Sequence, residues 1–240
     1  MSLLKIIIDD IKQWSDLNYF EHEIELNFSV EKNIVKNSES YNKKLLEKLK
    51  FEISTHPEIN REPKDQDDEI YISQYREHLF GHQEEIITKI LNRQRSASIL
   101  TAYSLIEGSL KNLCSLIDNE FHFKLKLKDL NSNDDLQKYK LYFEKVLEIN
   151  FTSLQPNFDY LVLNKYFRNK IAHNNSIIEF DKIKLAKNTI GLKLTNYGEI
   201  YEIQISDIEY INSIINIGEI FILDLLKLVD RRYIELKNIL

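Results

Sequence analysis

Six apolar residues, Ile99, Tyr103, Ile106, Leu110, Leu113 and Ile117, recur at intervals of four and three. That spacing runs for about 5 helical turns and draws one continuous stripe down a helix. A helix carrying such a stripe must bury it against other elements. The same interval returns in Tyr41, Leu45, Leu49 and Ile53, and in Leu136, Tyr139, Phe143 and Val146. It returns again in Tyr160, Leu163, Phe167 and Ile171, and in the apolar positions from Ile211 to Val229. Five glycines and three prolines in 240 residues leave few places where these helices can break. The pattern predicts a mainly α protein, an antiparallel bundle of long helices.

Leu4, Ile7, Ile11 and Trp14 predict a short helix over residues 3–15. From Phe20 to Val30 two periods compete. Phe20, Ile24, Leu26, Phe28 and Val30 alternate with polar residues as in a strand, while Phe20, Ile24 and Phe28 also fit a helix. Pro57 and Pro63, in a run of mixed charge ending at Asp68, mark a linker. They divide the chain into an N-terminal extension, 1–68, and a helical domain, 69–240. Within the domain, Ile190, Leu192 and Leu194, then Tyr201, Ile203 and Ile205, alternate on either side of Asn196-Tyr197-Gly198-Glu199. That is a β-hairpin before the C-terminal helix, for which Ser206 or Asp207 is the natural cap.

Several function classes are excluded by what the sequence lacks. It has no glycine-rich phosphate loop, nucleophile elbow, Cys-x-x-Cys pair or His-Glu-x-x-His site. No cofactor and no metal is expected. His78 and His82 share a helix face near Glu77, Glu84 and Glu85, a pattern read as solvated surface rather than as ligands. Cys114 lies beside the main stripe and reads as a core thiol. A single cysteine, no leader pattern and no apolar run of about 20 residues predict a cytoplasmic protein without a membrane span.

The chemistry concentrates in Tyr166-Phe167-Arg168-Asn169-Lys170-Ile171-Ala172-His173-Asn174-Asn175. An arginine able to grip a phosphate stands five residues before a histidine able to move a proton near neutral pH. Residues 165–193 carry seven Lys or Arg against two acids, within a chain of net charge −6. A basic segment in an acidic chain is a local anion site, with an ordinary solvated charge run as the alternative. Asn169 and His173, four apart, share a helix face. Arg168 and His173 are set about 140° apart on a regular helix, so the histidine must sit at a helix end or the site must be completed by a second copy. Asn174-Asn175 supply the helix end, since Asn tolerates the left-handed conformation.

Arg168, the polar Asn169 and His173 resemble the motif of the HEPN superfamily, in which an arginine is followed after four to six residues by a histidine. The segment Ala102 to Lys111 is similar to the central helix that precedes the motif helix in such proteins. The likeness covers about residues 70–240. It implies a HEPN-like helical bundle, a metal-independent endoribonuclease and a homodimer with a composite cleft, acting as a toxin or in antiviral defence. Arg168 and His173 would be catalytic, assisted by Asn169. Lys165, Lys170 and Asn174 would contact RNA, and Glu107 would orient Arg168. An inactive RNA-binding or protein-interaction module is the alternative. Arg76 and His82 match the bare spacing too but lack the Asn, the apolar helix and the basic surroundings. Relatives controlled by an antitoxin that modifies a tyrosine carry that tyrosine two residues after the histidine. Asn175 stands there, so any cognate inhibitor or antitoxin would work differently.

Overall fold

The computed structural model describes residues 12–173 and 175–238. Leu4, Ile7 and Ile11 of the first expected helix lie outside the described residues, as does Asn174. The chain is mainly helical, with one small antiparallel sheet placed before the last helix.

Helix α1, Ser15–Thr55, settles the ambiguity at residues 20–30. Leu17, Phe20, Ile24, Phe28, Glu31 and Val35 are buried at steps of three and four, while Leu26 and Val30 are exposed on the far side. The helical period wins because three bulky residues already form one buried line without Leu26 and Val30. Beyond Val35 only Asn42 and Leu49 are buried, one position in every seven. Asn42 and Ser38 both donate to Gln94 Oε1, the latter at 3.0 Å.

After the proline-bearing loop, Asp65 caps α2, Gln66–Arg76, by accepting from the Asp68 amide at 2.8 Å. A π-helical turn, Glu77–Gly81, leads straight into α3, His82–Phe121. Residues 66–121 thus form one helical path, roughly 80 Å long at 1.5 Å per residue. It runs antiparallel to α1. Trp14 meets Phe121, Glu39 pairs with Arg95, and His56 packs on Phe80. The stripe from Ile99 to Ile117 is buried along its whole length. Cys114 is 1% exposed, and burial pushes its thiol well above the ordinary cysteine value.

Helices α4, Asp135–Lys145, and α5, Gln155–His173, join the same core, and α7, Ile208–Lys237, completes it. Asp207 caps α7, accepting from the Glu209 amide at 2.8 Å. Gly218 of α7 lets it press on the bundle. A Cβ there would lie 2.5 Å from Ile106 Cδ1 and 3.5 Å from the Phe28 ring. Trp14, Leu17, Phe20, Ile24, Phe28 and Val35 share this core with α3 and α7, so α1 is built into the bundle.

Strands β2, Leu192–Tyr197, and β3, Ile200–Ile205, form the expected hairpin, with Gly198 at φ +81° in its two-residue turn. A third strand, β1, Ile177–Ile178, pairs with the other edge of β3. Helix α6, Ile183–Asn188, lies between β1 and β2. Phe167, Ile178, Ala186 and Ile203 make a second, smaller core. That core fastens the sheet and α6 to the last turns of α5. Among the described residues no helix is long and apolar enough to cross a membrane.

Candidate functional site

Helix α5 presents two faces with different tasks. Phe158, Leu161 and Phe167 are buried, and Tyr103 donates to the Leu161 carbonyl at 2.7 Å. That bond ties α5 to α3 inside the core. The helix ends at His173, which is exposed. Past it the chain turns sharply, with Asn175 at φ +49° and Ser176 at φ +65°. The Ser176 amide donates to the Lys170 carbonyl at 3.0 Å, and the Ile203 amide donates to the Ser176 carbonyl at 2.9 Å. Asn175 meets the expectation for a helix end. Ser176 carries real strain, since a non-glycine residue in this region costs roughly 1–2 kcal/mol.

Arg168 is half-buried. Its Nη1 donates to Asn169 Oδ1 at 2.8 Å, while its Nε is buried without a hydrogen-bond partner. The guanidinium lies near Tyr103. Burial raises the Tyr103 hydroxyl far above the ordinary tyrosine value, and Arg168 pulls in the opposite direction. Asn169 therefore pairs with the arginine, one turn before His173.

Lys165 and Glu107 meet each other. Lys165 Nζ lies 2.8 Å from Glu107 and 3.0 Å from Asp134, and the lysine is 7% exposed. Burial opposes its charge, but the two carboxylates outweigh burial and raise its pKa. Asp134 does two jobs, since its other oxygen accepts from the Gln137 amide and caps α4. Glu107 thus pairs with Lys165, among the described residues it makes no ion pair with Arg168, and the Lys165 ammonium faces carboxylates inside the fold.

Lys170 pairs with Glu179, which also accepts from the Tyr166 hydroxyl. Those two donors hold the Glu179 carboxyl down at about 2. Burial first, then the Glu179 carboxylate, push the Tyr166 hydroxyl up. The ammonium groups of Lys170 and Lys182 sit 5.4 Å and 5.9 Å from the centre of the Tyr166 ring. An open depression of about 370 Å³ lies here, lined by Lys170, Asn175, Ile177, Ile178 and Glu179.

The positive charge of residues 165–193 is therefore divided. Lys165, Lys170 and Lys182 answer to Glu107 and Asp134, to Glu179, and to Asp181. Lys184, Lys187 and Lys193 are exposed and make no ion pair among the described residues. Arg168 too makes no ion pair among the described residues, its Nη1 donating to Asn169, so the uncompensated charge is Arg168 itself together with the three lysines downstream on α6 and β2.

No protein-family model, curated protein or solved structure matches the chain.

The other Arg/His pair falls elsewhere. Arg76 ends α2 and pairs with Glu84 at 2.7 Å, and His82 opens α3 beyond the π-helical turn. Among the described residues no three potential ligands gather to hold a metal ion. Sequence reasoning missed Phe180, which is 80% exposed and stands at the edge of a second cleft with Tyr201. Its signal was present in Phe180-Asp181-Lys182-Ile183-Lys184, an aromatic residue interleaved with lysines.

Proposed function

We propose that the chain is a metal-independent endoribonuclease. His173 and Arg168 carry the chemistry in a homodimer that serves as a toxin or antiviral-defence effector in the cytoplasm, restrained by a cognate inhibitor. One observation supports this reading most. Helix α5 ends on an exposed histidine, with Arg168 and Asn169 hydrogen-bonded to each other about one turn earlier. An exposed imidazole at a helix end suits proton transfer, and an arginine earlier on the same helix suits a phosphate once its guanidinium turns outward.

In the proposed reaction His173 takes the proton of a ribose 2′-hydroxyl. The 2′-oxygen attacks phosphorus, the bond to the 5′-oxygen breaks, and the leaving oxygen takes up a proton. A 2′,3′-cyclic phosphate and a 5′-hydroxyl result. Arg168 stabilises the charge that grows on the phosphoryl oxygens, a task suited to its planar donors. Asn169 holds the guanidinium in place. Because the ribose supplies the nucleophile, the step needs no metal-activated water. Two copies of α5 meeting across a twofold axis would supply one histidine as base and the other as acid, overcoming the divergence of Arg168 and His173 along one helix.

One observation favours a second reading, an RNA-binding or protein-interaction module without catalysis. The Arg168 Nε points into the protein, and Nη1 is engaged by Asn169, so the guanidinium must turn to meet a phosphate. Purified protein incubated with total RNA in EDTA separates the readings. Fragments with 2′,3′-cyclic phosphate ends support the nuclease. RNA binding without cleavage supports the module, and cleavage that requires added Mg²⁺ rejects the proposed chemistry. Light scattering on the same sample tests the dimer, since a strict monomer that cleaves RNA would eliminate the composite cleft.

A further inference from the structure

Phe180 stands at the rim of a cleft of about 420 Å³ whose other walls are Ile183, Lys184, Lys187 and Tyr201. Its ring is 80% exposed and lies edge-on to Tyr201, with centroids 6.3 Å apart. A bulky aromatic residue held in water beside a second ring and two exposed lysines is a composition that few ligands match. The rings and Ile183 offer a flat apolar wall, and the lysines offer charge along its edge.

We propose that this cleft is a subsite for one unstacked base of single-stranded RNA. The base stacks on Phe180, and Lys184 and Lys187 lie against the adjoining phosphates. The subsite rests on RNA as the substrate of the α5 site and adds where the strand is held and in what form. Three observations carry it. First, the two acids that flank Phe180 in sequence are already engaged. Glu179 is taken by Lys170 and Tyr166, and Asp181 lies 3.1 Å from Lys182. Lys184 and Lys187 are thus the uncompensated charges lining the cleft, which suits a polyanion. Second, sequence-tolerant recognition of single strands combines aromatic stacking with a basic track, and both are present here. Third, the cleft is fixed relative to the motif. Phe180 follows Glu179, whose carboxylate is held by Lys170 of α5, and Ala186 of α6 packs in the small core with Phe167. The neighbouring depression, lined by Lys170, Asn175 and Glu179, lies just past the end of α5, so a strand seated on Phe180 would have room to run alongside it.

Bases paired in a duplex present no free face, so the subsite selects single strands. The test uses the whole 240-residue chain carrying His173→Ala, which leaves RNA uncut, and a short fluorescein-labelled RNA of mixed sequence followed by anisotropy. Phe180→Ala in that background weakens single-strand binding about 10-fold, the scale of one lost base–aromatic stack. Phe180→Leu weakens it comparably, because it keeps apolar bulk and loses the π-face. Phe180→Trp stays within a few-fold. Lys184→Ser with Lys187→Ser lowers the salt slope by about 1.4, at roughly 0.7 per phosphate contact on a single strand. Binding of the complementary duplex is unchanged by Phe180→Ala. Phe180 is exposed, so each variant folds, and circular dichroism verifies it. Undiminished binding by Phe180→Ala overturns the subsite while leaving RNA as the substrate. Undiminished binding by Phe180→Leu also overturns it, since apolar bulk without a π-face would then suffice and no base would be stacked there. A parent protein that neither binds nor cleaves RNA overturns the subsite and the nuclease together.

Discussion

Lys165→Met decides whether this lysine serves the fold or the substrate. In the structure its ammonium is held between Glu107 and Asp134 at 2.8 Å and 3.0 Å. Methionine keeps most of the side chain's volume and removes the charge. Deleting one partner of a fully buried ion pair costs about 3–5 kcal/mol, because the remaining charge is stranded. Here the Glu107 and Asp134 side chains are 20% and 33% exposed, and Asp134 keeps its hydrogen bond to the Gln137 amide. Water and that amide offset part of the loss, so the expected cost is about 2 kcal/mol. For a chain of this size that lowers Tm by roughly 4–8 °C. The raised pKa of Lys165 fixes the window. Its contribution is complete below the ordinary lysine value of about 10.4 and is lost only as pH climbs through the higher folded value, so a melt at pH 7 reads all of it. Glu107→Gln added to Lys165→Met should recover about half of the loss, since only Asp134 is then left without its partner. A Lys165→Met protein with unchanged Tm and abolished RNA cleavage would refute the reasoning, because the lysine would then be acting on the substrate.

Arg168→Ala and His173→Ala should each reduce cleavage by about 10²–10⁴-fold in a gel assay with unchanged circular dichroism, while Arg76→Ala and His82→Ala stay within a few-fold of the parent; the reverse pattern would move the site to the π-helical turn. The depressed pKa of Glu179 makes its link to Lys170 and Tyr166 a source of stability above the unfolded carboxylate value of about 4.3, lost as pH falls through about 2. Carboxyl NMR of Glu179 should show a midpoint near 2, and a midpoint in the ordinary range would mean that this link does not hold in solution. Gly218→Ala gains about 1 kcal/mol of helix propensity but sets a methyl 2.5 Å from Ile106 Cδ1, and overpacking costs about 1–3 kcal/mol. Urea melts should show a net loss of about 1 kcal/mol that Ile106→Val relieves only in part, since valine lacks Cδ1 but keeps the Cγ1 that lies 2.7 Å from the new methyl, whereas a gain for Gly218→Ala alone would show that the helices part freely.

The long helices were legible because each writes its buried face several times over, as the stripe from Ile99 to Ile117 does. The hairpin and the Asp207 cap were legible because a turn glycine and a capping carboxylate act on immediate neighbours. Residues 20–30 were ambiguous because Phe20, Ile24 and Phe28 satisfy both periods, and only the helices packed around them decide. Strand β1 was invisible, since two residues hold no period. Within the site, Arg168, Asn169, His173 and the helix end at Asn175 could be placed from local spacing. The ion pairs of Lys165 could not, because Glu107 and Asp134 come from distant parts of the chain. Ser176 was missed for another reason. Serine seldom adopts positive φ, and it does so here between hydrogen bonds to Lys170 and Ile203.

The thinning seam of α1 grades how the molecule opens. From Leu17 to Val35 a side chain is buried at every third or fourth position, but beyond Val35 the next are Asn42 and Leu49, and the first of these is polar. The free energy needed to expose a backbone amide follows the apolar contacts that must separate with it. Amides near Phe28, where α1 is closed in by Ile106 and Gly218, should exchange with solvent deuterium only when the whole bundle opens. Those of α1 beyond Asn42, and of the facing α2 and first turns of α3, exchange through a smaller opening that leaves the bundle and the end of α5 intact. Limited proteolysis should meet the same gradient and cut first in the distal half of this helical pair.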